Sequence, residues 1–466
     1  MQHPVTIRWD AATLLLEGWT LDALPPGFVR DPRLGLPRAP AIAYRDAILW
    51  MREQDVSYRD EARGYAPLNR THHTGRTPRP YQEEAVTAWA SAGRAGVIVL
   101  PTGAGKTFVA ELCIANANRS ALVIAPTIDL VGQWYDALAR AFGEPVGVLG
   151  GGQWQIEDLT VATYDSAWMH IERLGHRFGL LIFDEVHHLP GPSYARAAEG
   201  SLAPFRLGLT ATLERPDGEH ERIASLLGPV VYRREIRELA GEFLAPYRTE
   251  ICHVHLSEAD RDAYDLAEST WRDFVASQGI RLGGRVGFQR FLAATSRSKE
   301  GRAAFRAWRR CQRIVQGAPA KIRLLAELLR EHADGRVLVF TQDNATVYEI
   351  SRRLLVPALT HRTDVKERRA LLQAFASGEL PVLVTSKVLN EGVDVPAADV
   401  AVVLSGTATV REHVQRLGRI LRPQQGKQAV LYELVVADSR DERSSNRRRD
   451  HDAYRGDEGH DAEPVG

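Results

Sequence analysis

Val97-Ile98-Val99-Leu100-Pro101-Thr102-Gly103-Ala104-Gly105-Lys106-Thr107 runs four apolar residues straight into a glycine-rich turn that ends in Gly-Lys-Thr. A short apolar run bounded by such a turn predicts a buried strand, and the helix formers from Lys106 onward predict a helix whose N-terminal dipole favours anions. Gly103 and Gly105 leave the connecting backbone free to turn its N–H groups inward. The stretch therefore predicts a phosphate cradle lined by Thr102, Gly103, Ala104 and Gly105, with Lys106 reaching the β- and γ-phosphates and Thr107 a magnesium ion. Leu100 stands where the general motif has its first glycine, and the stretch fits the variant Pro-Thr-Gly-x-Gly-Lys-Thr instead.

Outward from this turn, almost purely apolar runs at 97–100, 121–125, 159–162, 180–183 and 207–210 alternate with helical patterns. That alternation predicts an α/β fold with a parallel sheet, whose ligands gather where the strands end. Each run stops just before a polar cluster, namely Pro126-Thr127, Thr163-Tyr164-Asp165, Asp184-Glu185-Val186-His187 and Thr210-Ala211-Thr212. Two adjacent carboxylates at a strand end suit a metal–nucleotide complex. Asp184 would hold magnesium through water, and Glu185 would orient and deprotonate the attacking water.

Length and composition set the frame. A chain of 466 residues exceeds what one core supports, so several domains are expected. Lys plus Arg equals Asp plus Glu at 59 each, so any case for nucleic acid must be local. Cys113, Cys252 and Cys311 lack metal-site spacing and predict core filler in a reducing compartment. No stretch is long and apolar enough for a membrane span, and the N-terminus has no apolar leader, so a cytoplasmic, nucleoid-associated protein is expected.

Residues 1–75 read as a small α+β domain in which Trp9, Trp19, Tyr44 and Trp50 form a core rather than a base-stacking face. The linker 69–78 carries His72 and His73, expected to be solvated. From 257 to 320 the alternation stops, and over 281–313 Glu300 is the single acid among many arginines. Arg302, Arg306, Arg309 and Arg313 follow helical spacing and share a face opposite Phe305 and Trp308. A solvated face usually mixes signs, so this predicts phosphate-backbone binding, with an ordinary charged surface as the alternative. A second βα region spans 321–437, and the charged, apolar-poor stretch 438–466 is expected to be disordered.

The motifs at 101–107, 184–187, Leu209-Thr210-Ala211-Thr212, 384–396 and Gln415-Arg416-Leu417-Gly418-Arg419-Ile420-Leu421-Arg422 together resemble superfamily 2 helicases. Three features resemble the XPB-type family in particular: Arg79-Pro80-Tyr81-Gln82-Glu83-Glu84-Ala85, the Asp-Glu-Val-His box, and Val384-Thr385-Ser386-Lys387-Val388-Leu389-Asn390-Glu391-Gly392-Val393-Asp394-Val395-Pro396. The resemblance implies two RecA-like lobes in tandem, 76–256 and 321–437, an N-terminal accessory domain over 1–75 where the family has its damage-recognition domain, and a thumb-like helical insertion over 257–320. It implies ATP and Mg2+ as cofactors and ATP-driven movement on DNA with 3′ to 5′ polarity.

Residue by residue, it implies that Arg79 and Gln82 bind the adenine end, and that Gly392 and Asp394 line the cleft. Gln415, Arg419 and Arg422 would face the γ-phosphate, the two arginines as arginine fingers. His187, Thr210 and Thr212 would couple the nucleotide to the strand-binding side, where Pro126, Thr127, Thr163, Thr341 and Thr385 would touch the nucleic-acid backbone. Arg215 and Asp217 occupy the strand-separation triplet, but Pro216 stands between them where the family has glutamate, which points to a translocase weak at unwinding. Prokaryotic relatives work with a partner nuclease, and the same is expected here. An RNA helicase and a DNA-binding scaffold with little motor activity are the alternative readings.

Overall fold

The computed structural model describes residues 5–213, 221–239, 241–243, 247–282, 284–386, 398–405 and 429–449. The chain divides into two compact units, residues 1–100 with 105–234, and residues 235–466 with 101–104.

The first unit begins with a five-stranded sheet in the order Val29–Arg30, Pro37–Pro40, Thr13–Glu17, Val5–Asp10, Tyr58–Asp60, joined by the helix Tyr44–Glu53. Alternation decides its inner face: Val5 and Ile7 on one strand, Leu14 and Leu16 on the next, are buried with Trp19, Tyr44 and Met51. Trp9 and Trp50 pack against that cluster, so the aromatic residues serve as core. Trp9 also fixes this domain to the following sheet domain, its Nε1 donating to Glu172 O at 3.2 Å and its ring lying 5.1 Å from His176.

Next comes an eight-stranded sheet in the order Val230–Arg233, Ala95–Val99, Phe205–Thr210, Leu180–Asp184, Ala121–Ala125, Leu159–Thr163, Gly147–Gly150, Gln153–Gln155. Every pairing is parallel except the closing hairpin of the last two strands. Ala121–Ala125, Leu159–Thr163 and Leu180–Asp184 are buried at every residue, the burial that a parallel sheet covered on both faces requires. Since these strands all run the same way, 100–105, Pro126-Thr127, Tyr164, Glu185 and Ala211-Thr212 emerge along one edge.

The second unit holds a six-stranded parallel sheet in the order Tyr247–Val254, Ala429–Val436, Val400–Val403, Val337–Phe340, Val382–Thr385, Ala358–Leu359. Beside it the helices Glu258–Ser277, Gly284–Thr295 and Lys299–Gln316 pack around Tyr264, Trp271, Phe291, Cys311 and Val315.

Four sequence expectations differ from this. The strand before the glycine turn runs Ala95–Val99 rather than 97–100. The first lobe was expected to reach residue 256, yet Tyr247–Val254 pairs with Ala429–Val436 from Tyr247↔Ala429 to Val254↔Val436, and so belongs to the second sheet. Residues 438–449 are not disordered: the helix Arg440–Arg449 follows the last strand, and its Asp441 carboxylate meets the fully buried Lys321 ammonium at 2.5 Å. His72 is not solvated, because its ring packs 5.0 Å from Phe142 with Nε2 3.6 Å from Glu111 Oε2. Among the described residues no helix is long and apolar enough to cross a membrane.

Candidate active site

Lys106 opens the helix Lys106–Ala117 directly after Gly105. Gly103 and Gly105 hold φ of +88° and +83°, the left-handed region that only glycine adopts without strain. The turn can thus wrap the helix start, where the first N–H groups have no intrahelical partner and the dipole is positive. A side chain at Gly105 would also collide with Gln82, whose Nε2 would lie 2.6 Å from the added Cβ. Gln82 is buried, and its Oε1 accepts from Arg79 N at 3.0 Å, which holds the amide against this turn. Lys106 Nζ reaches back to Leu100 O at 3.4 Å and, among the described residues, forms no ion pair. Thr107 is half-buried beside it.

Two strands away, Asp184 ends Leu180–Asp184 and is 7% exposed. Its Oδ1 accepts from Glu185 N at 3.0 Å and its Oδ2 from Trp134 Nε1 at 2.8 Å, while Tyr164 donates its hydroxyl to Asp184 O at 3.0 Å. Burial raises the Asp184 carboxyl above the usual carboxylate range, and the neighbouring Glu185 charge adds to the rise; the Trp134 hydrogen bond and the Lys106 charge pull the other way. Two carboxylates are crowded here with little solvent, a donor set that a divalent cation would relieve.

Glu185 adopts φ +48°, ψ +54°, a left-handed conformation that a side-chain-bearing residue holds only where its surroundings enforce it. That turn re-aims the chain, so Asp184 and Glu185 do not follow strand alternation. Glu185 Oε2 is buried and, among the described residues, makes no hydrogen bond. Its neighbour is His187 Nδ1 at 3.4 Å, which also lies 3.2 Å from Thr210 Oγ1. Thr210 donates its hydroxyl to Thr212 O at 2.7 Å and accepts from Thr212 N at 3.2 Å, so the proton between His187 and Thr210 is assigned to Nδ1. Thr210 O accepts from Leu100 N at 3.0 Å, tying this chain to the strand that feeds the glycine turn.

Thr127 and Thr163 sit on the same sheet edge as N-caps: Thr127 Oγ1 accepts from Leu130 N at 3.3 Å, and Thr163 Oγ1 from Ser166 N at 3.1 Å. Pro126 precedes Thr127 and is half-buried. In the second unit Thr341 and Thr385 are fully buried, their hydroxyls donating to Asp343 O at 2.9 Å and Ser386 O at 3.1 Å. The arginines at 302, 306, 309 and 313 are all exposed on Lys299–Gln316 and, among the described residues, none forms an ion pair. Phe305 and Trp308 turn inward and stack 5.7 Å apart. Arg215, Asp217, Gly392, Asp394, Gln415, Arg419 and Arg422 lie outside the described residues.

Sequence reading missed Trp134 and Tyr164 as partners of Asp184. In an amphipathic helix a buried tryptophan signals core, and nothing local says that its N–H meets a carboxylate 50 residues away.

Comparison with known proteins matches residues 7–62 to the xeroderma pigmentosum group B helicase damage recognition domain, 76–215 to the type III restriction enzyme res subunit, and 320–424 to the helicase conserved C-terminal domain. The chain is 41% identical to a DNA 3′-5′ translocase XPB2 from Sulfurisphaera tokodaii over 92% of this chain and 97% of that one. It is 34% identical to a DNA 3′-5′ helicase XPB from Kineococcus radiotolerans over 78% of this chain and 60% of the relative, and 32% identical to its namesake from Mycobacterium tuberculosis over 86% and 68%. The crystal structure of the Pyrococcus furiosus Hef helicase domain shares the fold, with a TM-score of 0.53 at 22% identity over 80% of this chain and 98% of that one.

Proposed function

The chain belongs to the XPB family of helicases, and on that premise we propose that it is an ATP-dependent DNA translocase that moves with 3′ to 5′ polarity in DNA repair or related processing. The observation that carries the reading is the Asp184-Glu185 pair, with Asp184 buried at a strand end and the chain turned by a left-handed, half-buried Glu185, on the same sheet edge as the Lys106 turn. In this reading Lys106 and the N–H groups of 103–107 neutralise the β- and γ-phosphates, and the Gln82 amide beside Gly105 selects the adenine end.

Thr107 and Asp184 would hold a magnesium ion, which supplies positive charge to the phosphates. Glu185 Oε2, which no described residue hydrogen-bonds, takes the proton of the attacking water. His187, whose Nδ1 lies 3.4 Å from Glu185 Oε2 and donates to Thr210 Oγ1, then reports the state of Glu185 to Thr210 and Thr212. Gln415, Arg419 and Arg422 of the second lobe complete the γ-phosphate site by family resemblance. The arginine face at 302–313 grips the DNA backbone without reading sequence.

The finer parts of the proposal are a nucleoid location, reliance on a partner nuclease, and weak unwinding because Pro216 replaces the glutamate of the strand-separation triplet. ATP hydrolysis measured in parallel with duplex DNA, single-stranded DNA and RNA tests the central reading. Stimulation by duplex DNA is expected; stimulation by RNA alone would select the RNA helicase, and none at all the scaffold.

A further inference from the structure

Two segments that begin on the proposed DNA side each send one buried aromatic donor to Asp184. Trp134, 2% exposed, lies in the helix Ile128–Phe142 that Thr127 caps, and its Nε1 donates to Asp184 Oδ2 at 2.8 Å. Tyr164, also 2% exposed, is the first residue of the helix Tyr164–Leu174 that Thr163 caps, and its hydroxyl donates to Asp184 O at 3.0 Å. One donor holds the carboxylate and the other the backbone of the same residue. A buried indole N–H needs a partner, but a backbone carbonyl would satisfy it; a carboxylate is the costlier choice in a core unless its orientation matters.

We propose that Trp134 and Tyr164 are positioning residues that transmit nucleic-acid occupancy at Thr127 and Thr163 to the Asp184 carboxylate. This rests on the motor reading above. It adds a route separate from His187, Thr210 and Thr212, which leaves from Glu185. The geometry supports transmission because Thr127 and Trp134 are seven residues apart in one chain, roughly 10 Å along a helix axis. Val131, Trp134, Ala137 and Leu138 are buried, so that helix is packed along a stripe and moves as a body. A shift of its capped end when a phosphate docks there therefore re-aims the indole N–H, and with it the Asp184 oxygen. The coupling is reciprocal: nucleotide that fixes Asp184 favours the DNA-bound placement of both helix starts.

The test uses the full chain and reads binding rather than turnover. The affinity for a fluorescent, non-hydrolysable ATP analogue with magnesium is measured with and without saturating duplex DNA, for the wild type, Trp134→Phe and Tyr164→Phe. The ratio of the two affinities is the coupling. Each variant keeps an aromatic ring but loses its donor, so the ratio is expected to move toward one by roughly three- to tenfold, the range a single hydrogen bond carries. Affinity for DNA alone, by anisotropy, should stay close to that of the wild type. A merely structural role would lower the melting temperature, or weaken both ligands together, and leave the ratio in place. An unchanged ratio in folded variants overturns the inference, and Tyr164→Phe, which deletes one oxygen, decides the matter if loss of the indole unfolds the protein. A wild type with no coupling between DNA and nucleotide would overturn the motor reading itself, and the inference with it.

Discussion

His187 Nδ1 lies 3.4 Å from Glu185 Oε2 and shares its proton with Thr210 Oγ1 at 3.2 Å, so the carboxylate proposed to activate water is steered by a ring that answers to a neighbouring strand. His187→Ala removes that steering but leaves Glu185 in place. The rate of DNA-stimulated hydrolysis is expected to fall by roughly tenfold, the scale of one lost polar contact beside a buried carboxylate oxygen, with KM for ATP little changed. A rise in KM without a fall in rate would place His187 in binding instead.

Lys106 and Glu185 should separate binding from chemistry. Lys106→Ala removes the cation proposed to face the phosphates and should abolish nucleotide binding. Glu185→Gln keeps shape and burial but cannot take a proton, so binding survives while turnover falls by about 10² to 10⁴, the usual worth of a general base. Titration with a fluorescent nucleotide beside a hydrolysis assay reads both; undiminished hydrolysis by Glu185→Gln refutes the assignment.

Exposed arginines that form no ion pair among the described residues would, in the proposed contact with the DNA backbone, release its counterions. Each arginine–phosphate interaction removed should reduce the slope of log affinity against log salt by roughly 0.9. Replacing Arg302, Arg306, Arg309 and Arg313 by glutamine should therefore flatten the slope by up to about four such steps. A slope equal to that of the wild type would assign these residues to a solvated surface.

Lys321 is fully buried, and its Nζ donates to Asp441 Oδ2 and to Leu404 O, each at 2.5 Å. Asp441→Asn removes the carboxylate charge that meets this buried ammonium and should cost about 3–5 kcal/mol of stability. Lys321→Met with Asp441→Leu should cost less, because no charge is then stranded. Chemical denaturation of the three proteins checks the order. Ending the chain after 437 should destabilise it in the same way, since Asp441 goes with the tail.

The two lobes were legible because their strands are continuous apolar runs, and a run such as Leu180-Leu181-Ile182-Phe183 needs no partner to declare itself buried. The glycine turn was legible for a similar reason: left-handed positions at Gly103 and Gly105 are a local demand that sequence must meet locally. The core role of Trp19 and Tyr44 followed from the number of aromatic residues in a small domain. By contrast, Tyr247–Val254 is an edge strand with half-buried residues, and its pattern could not say which sheet it joins; that is decided by pairing with a strand some 180 residues later.

What the sequence alone determined, then, is the order of elements and the places of the glycine turn and of the adjacent carboxylates at a strand end, because both are written in short-range pattern. Only the tertiary structure decided their partners. Asp184 meets Trp134 and Tyr164, Lys321 meets Asp441, and Thr341 and Thr385 turn their hydroxyls inward. Each of these follows from which groups burial brings together and must then satisfy, and a buried donor finds its acceptor by proximity in space, which no local spacing encodes.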